Sequence, residues 1–165
     1  MHSKARFWLR SALALTLACS FASCGNSAFD SVKNYKEFLS GAKPSLQAMN
    51  RVREELMQVD SAEDMLSKFK DELLPEVKKL SSLAQKHPTP DIKKLKTIHE
   101  TFQSVLSKYA DSTEKLVNAL DKAKKDEDRE AALVAWGGED EKFGSSMAAL
   151  VRDLETYLDT LRKSK

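Results

Sequence analysis

Apolar residues recur every three or four positions through most of this chain, and nowhere does a sustained apolar–polar alternation suggest a strand. That spacing places them on one face of an α-helix. A first seam runs Val32, Tyr35, Leu39, Ala42, Leu46, Met49 and Leu56, with Arg53 filling one slot. Ser27 followed by Asp30 has the form of a capping box at its start. Pro44 removes one backbone donor and crowds the preceding turn. The seam keeps its phase across Gly41 and Pro44, so one kinked helix is favoured over two short ones.

A second seam, Met65, Leu66, Phe69, Leu73, Val77, Leu80 and Ala84, follows another capping-box pair, Ser61 and Asp64. Pro75 should kink this helix, and His87-Pro88-Thr89-Pro90 should end it. Thr89 then caps a third helix with Pro90 in its first position and Asp91 at the positive end of its dipole. The third seam is the most regular: Ile92, Leu95, His99, Phe102, Leu106, Tyr109, Thr113, Leu116, Leu120 and Ala123, widened by Ile98, Val105 and Val117. No Gly or Pro marks the next turn. A change from Lys122, Lys124 and Lys125 to Asp126, Glu127, Asp128 and Glu130 places it near 125–128, because cations suit a helix end and acids a helix start. The last segment carries Leu133, Trp136, Phe143, Met147, Leu150, Leu154, Tyr157 and Leu161. Gly137-Gly138 interrupts it, and two glycines cost about 2 kcal/mol against Ala in a helix interior. A break or bend is expected there. Four helices with short connections predict an all-α fold, an antiparallel up-down-up-down four-helix bundle with kinked helices.

The N-terminus follows another pattern. Lys4, Arg6 and Arg10 precede a short Ala- and Leu-rich stretch from Ser11 to Ala22. A dozen or so apolar residues fall short of the roughly 20 that span a bilayer, so a signal peptide fits better than an anchor helix. The stretch ends Phe21-Ala22-Ser23-Cys24-Gly25-Asn26. A bulky apolar residue, two small residues and a cysteine resemble the lipobox of bacterial lipoproteins, with Phe21 in place of the usual Leu. The resemblance implies that the Cys24 thiol is acylated, palmitate-type lipid included, and that cleavage leaves Cys24 as the mature N-terminus. Cys19, after Thr16-Leu17-Ala18, is a poorer match: Leu17 stands where a small residue belongs and Thr16 where a bulky apolar one belongs. The chain then divides into a signal peptide at 1–23, the lipidated cysteine and a short tether at 24–28, and one helical domain at 29–165. Gly25 is not the Asp that some enteric bacteria use for inner-membrane retention, so the outer membrane, facing the periplasm, is the expected site.

Cleavage changes the charge. The full chain has 27 basic and 25 acidic residues, and the leader holds three of the basic ones and none of the acidic ones. The mature part is left with 24 against 25, a net of −1, so its overall charge gives no reason to expect nucleic acid as a partner. Cys19 departs with the leader, and Cys24 alone cannot form an intrachain disulfide.

Candidate chemistry is sparse. His99-Glu100 begins like a metalloprotease helix motif, but Gln103 stands where the second histidine is needed. His99 on the seam reads as a core or boundary histidine, with metal or haem ligation as the alternative. Met49, Met57, Met65 and Met147 read as core fillers, not haem ligands. There is no Gly-x-Ser-x-Gly elbow, Walker loop or dinucleotide fingerprint. Two features stand out. Arg53 either snorkels from the edge while Val52 takes the buried place, or meets a buried partner that fixes helix register. Trp136 beside Gly137 and Gly138 is either a core tryptophan next to a loosened turn or the lip of a contact patch. The expectation is a non-enzymatic envelope lipoprotein without a cofactor, held on a membrane through Cys24 and acting on a protein partner as an adaptor, assembly subunit or chaperone-like factor. The alternative is a bundle that binds a lipid, haem or small apolar molecule.

Overall fold

The computed structural model describes residues 27–59 and 61–163. The expected leader, Cys24 and residues 25–26 lie outside the described residues, as does the side chain of the expected capping residue Ser27; positions 27 and 28, expected as tether, are instead the first of α1. Among the described residues the chain is all-helical, without strands, and four helices pack together. We label them α1 (Ser27–Leu56), α2 (residues 62–86), α3 (Lys93–Lys122) and α4 (Asp126–Lys163).

α1 is one helix with Pro44 inside it. Ala42, Leu46 and Met49 on either side of the proline are all buried, so the packed face holds the helix in phase across the missing donor. α2 has three parts: an α-helical start Ala62–Ser67, a π-helical stretch Lys68–Leu73 and an α-helix Leu74–Lys86. Ser61 sits in extended backbone and its hydroxyl accepts the Asp64 N–H at 3.3 Å, which is one arm of the expected capping box. Pro75 was expected to kink this helix; the wider π-helical winding lies directly before it. The Leu74 N–H reaches back five residues to the Phe69 carbonyl, and the looser turn makes room for the proline ring. Phe69, Leu73, Leu74, Val77, Leu80 and Ala84 stay buried through the change of winding.

α3 starts later than the sequence suggests. Its N-cap is Ile92, without a side-chain cap, so neither Thr89 as cap nor Pro90 in the first helical position holds. Pro90 is instead buried and Ile92 packs against the core, which keeps 88–92 out of the helix. The third turn falls at 123–125, just before the expected place, and α4 opens on Asp126, Glu127 and Asp128. α4 also runs unbroken through Gly137 and Gly138. The expected break is absent because residues on both sides of the pair are held from other helices, as described below.

The core is one cluster drawn from all four helices. In α3 it takes Leu95, His99, Phe102, Leu106, Tyr109, Thr113, Leu116 and Leu120, the predicted seam almost unchanged. Phe38 and Leu158 are buried as well, although the seams read from sequence did not include them, and Val52 takes the buried place as one reading of Arg53 expected. Cross-helix contacts set the level of each residue along the bundle. Lys68 of α2 meets Glu55 late in α1 at 2.6 Å, whereas His87 stacks on Phe38 early in α1. Lys78 meets Glu114, whereas Gln103 donates to the Ala84 carbonyl. Between α3 and α4, Thr113 meets Trp136 and Lys94 meets Asp153.

Candidate functional site: a polar clasp across three helices

In α1, Val52 is 1% exposed and occupies the buried position, while Arg53 comes in from the edge with its side chain 26% exposed. The guanidinium does more than snorkel. Its Nη2 donates to Asp140 Oδ2 of α4 at 2.6 Å, and Nη1 donates to Asn50 Oδ1 at 3.4 Å. The other oxygen of the same carboxylate accepts from the Tyr109 hydroxyl of α3, also at 2.6 Å. Asp140 therefore ties α1, α3 and α4 together through one carboxylate. Such charge-assisted bonds are short and about twice as strong as neutral ones.

Trp136 lies one helical turn before Asp140 and joins the same network. Its Nε1–H donates to the Thr113 hydroxyl at 3.2 Å, and that hydroxyl donates to the Tyr109 carbonyl at 2.8 Å. The Trp136 ring meets Phe69 of α2 edge-on at 4.8 Å. Tyr109 stacks on Phe143 at 4.0 Å, nearly parallel, and the Arg53 guanidinium lies 5.9 Å from the Phe143 ring centre. Residues 136, 140, 143 and 147 share one α4 face by helical spacing. Gly137 and Gly138 fall on the other side, where an added Cβ would meet nothing within 4 Å.

Burial alone would disfavour the Arg53 charge, but the hydrogen bond and charge of Asp140 outweigh it and hold the guanidinium above its ordinary range. Burial first, then the Asp140 charge, pushes the Tyr109 phenol well above its ordinary value, against a weaker opposing pull from Arg53. Arg53 stays charged and Tyr109 stays protonated near neutral pH, and both serve to hold helices together. One atom is left over: Arg53 Nε is buried without a hydrogen-bond partner.

His99 lies elsewhere. It is 0% exposed, among Tyr35, Phe38, His87 and Phe102, and the His87 and His99 ring centres are 5.3 Å apart. The Gln103 amide donates to the Ala84 carbonyl at 2.9 Å and lies 3.0 Å from His99 Nε2. Nδ1 makes no hydrogen bond of ordinary geometry. Burial, then the neighbouring His87, pulls the His99 pKa down, more strongly than the Ala84 and His87 carbonyls raise it. Burial lowers His87 too. Among the described residues no three His, Cys, Asp or Glu side chains form a metal-binding group.

The candidates thus separate. Arg53 and Trp136 belong to one network, His99 to an aromatic cluster nearer the start of α1, and Gly137 and Gly138 to an open helix surface. Asp140 is the residue that the sequence reading missed. Its signal was legible: it occupies the slot between Trp136 and Phe143 on an otherwise apolar seam, as Arg53 does on the α1 seam. Beside α1, α3 and α4 lies an apolar groove lined by Leu39, Leu46, Ile98, Phe102, Leu150 and Leu154, with about 40 Å³ of free volume. No helix among the described residues is long and apolar enough to cross a membrane. No protein-family model, curated protein or solved structure matches this chain.

Proposed function

We propose that this chain is a lipid-anchored protein of the bacterial cell envelope whose helical domain works by protein–protein contact and not by catalysis. The observation that carries the reading is Phe21-Ala22-Ser23-Cys24 directly after a charged segment and a short apolar one. The domain is an up-down-up-down bundle. The opposed order of contacts between α1 and α2, α2 and α3, and α3 and α4 supports this arrangement, as does Arg53 meeting Asp140 while Tyr35 and Leu154 line one groove at the other level. An adaptor, assembly subunit or chaperone-like factor would use such a rigid bundle as a surface held near the membrane, facing the periplasm from the outer membrane.

The apolar groove favours a second reading, a bundle that holds a lipid or other small apolar molecule. Its size weighs against it. Ligand pockets usually enclose about 300–1,000 Å³, and this groove offers about 40 Å³. A haem or lipid would enter only if α1 and α4 moved apart. Crosslinking in intact membranes followed by native mass spectrometry tests both readings. The first predicts one dominant protein partner and a bare bundle. A consistent bound mass of an apolar molecule, without a protein partner, would transfer the proposal to the second.

A further inference from the structure

The domain is nearly neutral as a whole, but its charges are sorted between its two ends. Tyr35 and Phe38 of α1 contact His87 and His99, and Lys94 pairs with Asp153 at 3.8 Å. These contacts bring the first turns of α1, the 87–92 connection and the last turns of α4 to one end. That end carries Lys86, Lys93, Lys94, Lys96, Arg162 and Lys163 against Asp30, Asp91, Asp153 and Asp159. All six of these cations are exposed, and Lys86 and Lys93 make no ion pair among the described residues. The opposite end holds the close of α1, the start of α2 and the turn into α4. There Glu54, Glu55, Glu63, Asp64, Asp121, Asp126, Glu127, Asp128 and Glu130 stand against Arg51, Arg53, Lys68, Lys122, Lys124, Lys125 and Arg129, nine acids to seven bases.

The basic end is also where the chain enters the bundle. Ser27 opens α1, and only Gly25 and Asn26 separate it from Cys24. We infer that the basic end is a second membrane contact, which docks on the anionic headgroups of the bilayer that holds the lipid and turns the acidic end outward. The inference rests on the lipoprotein reading. It supplies what a lipid alone lacks: a lipid chain pins one point and leaves the bundle free to tilt, whereas a basic patch attracted to anionic lipid fixes its orientation. The lysines also stand where local stability disfavours them. α3 has no acid in its first turn, although α1, the start of α2 and α4 all have one, so Lys93, Lys94 and Lys96 face the positive end of a 30-residue helix.

The test uses protein purified from cell membranes, mixed with vesicles of phosphatidylcholine alone or with phosphatidylglycerol added, at low and high salt. Intact mass reports separately whether Cys24 carries lipid. The expected result is tighter association with the anionic vesicles, on the order of tenfold or more at low salt, abolished by high salt. It should also be lost in a K86Q/K93Q/K94Q variant that keeps its helical circular dichroism and its Cys24 lipid. Equal association with both vesicle types, or a charge preference unchanged in the variant, overturns the inference. Loss of an acidic co-purifying protein from the variant, with vesicle binding unchanged, would assign this end to a protein instead. An unmodified Cys24 with charge-dependent binding intact would sink the lipid reading and leave the basic surface standing.

Discussion

Arg53 and Asp140 face each other where two apolar seams each give one slot to a charge, and the pair is neither buried enough to be ruinous nor exposed enough to be idle. The side chains are 26% and 22% exposed. Breaking a fully buried pair costs about 3–5 kcal/mol and losing a surface pair about 1 kcal/mol or less, so Asp140→Asn should cost about 2 kcal/mol in denaturant unfolding. Arg53→Met combined with Asp140→Leu should recover part of that loss, since it removes both charges together. Additive losses would mean that the two residues do not act as a pair. His99 gives a second residue-scale prediction. Its native pKa and that of His87 lie below the ordinary value of 6.5, so the unfolded chain takes up protons first as pH falls. The stability from neutral histidine is complete above about pH 6.5 and is lost as the pH drops to the lowered native values. The Tm should fall between about pH 7.5 and 5 and fall less in His99→Leu. A Tm equally pH-dependent in that variant would remove His99 from the account. The seams made Arg53 legible as an anomaly, but its partner could be named only once α1 and α4 were side by side. Spacing places residues on a face without saying which faces meet.

At the scale of helices, sequence spacing gave the four segments and most of their buried faces, and it failed where tertiary contacts overrule local preference. Gly137 and Gly138 carry a real helix-propensity cost, yet Trp136 is held by Thr113 and Asp140 by Arg53 and Tyr109, so the helix between them is pinned at both ends. Both glycines sit in open space on a continuous helix. Replacing both with Ala should therefore stabilise the protein by about 1–2 kcal/mol, read as a rise in Tm. A loss of stability would place a close approach at this surface. Thr89 was misread as a cap because cap chemistry is local, whereas the burial of Pro90 depends on the rest of the core. The π-helical stretch before Pro75 was illegible for a similar reason: a proline announces a disturbance, and packing chooses between a kink and a wider turn. Lys93→Glu should raise stability by about 0.3–1 kcal/mol at low salt, because it puts an anion at the positive end of α3. The same change should weaken contact with anionic vesicles, so stability and membrane contact are expected to move in opposite directions.

For the whole molecule, net charge concealed the feature that matters. A near-zero sum over residues 24–165 is consistent with a bundle that is basic at the end where α1 begins and acidic at the other. In the proposed up-down-up-down arrangement the helices collect at one end residues that lie far apart in sequence, such as Lys93 and Lys163, and no running average along the chain reveals that. Under the lipoprotein proposal, the anchor, the clasp and the charge sorting make one object: a stiffened bundle, tethered within a few residues of a lipid and turned to present its acidic end. The lipid anchor depends on the fate of Cys24, which is directly measurable. Mass spectrometry of the N-terminal peptide of protein isolated from membranes should find a chain that begins at Cys24 with a lipid on its sulfur, and Cys24→Ser should leave the leader uncut. A mature chain that begins elsewhere, or an unmodified Cys24, would contradict the account.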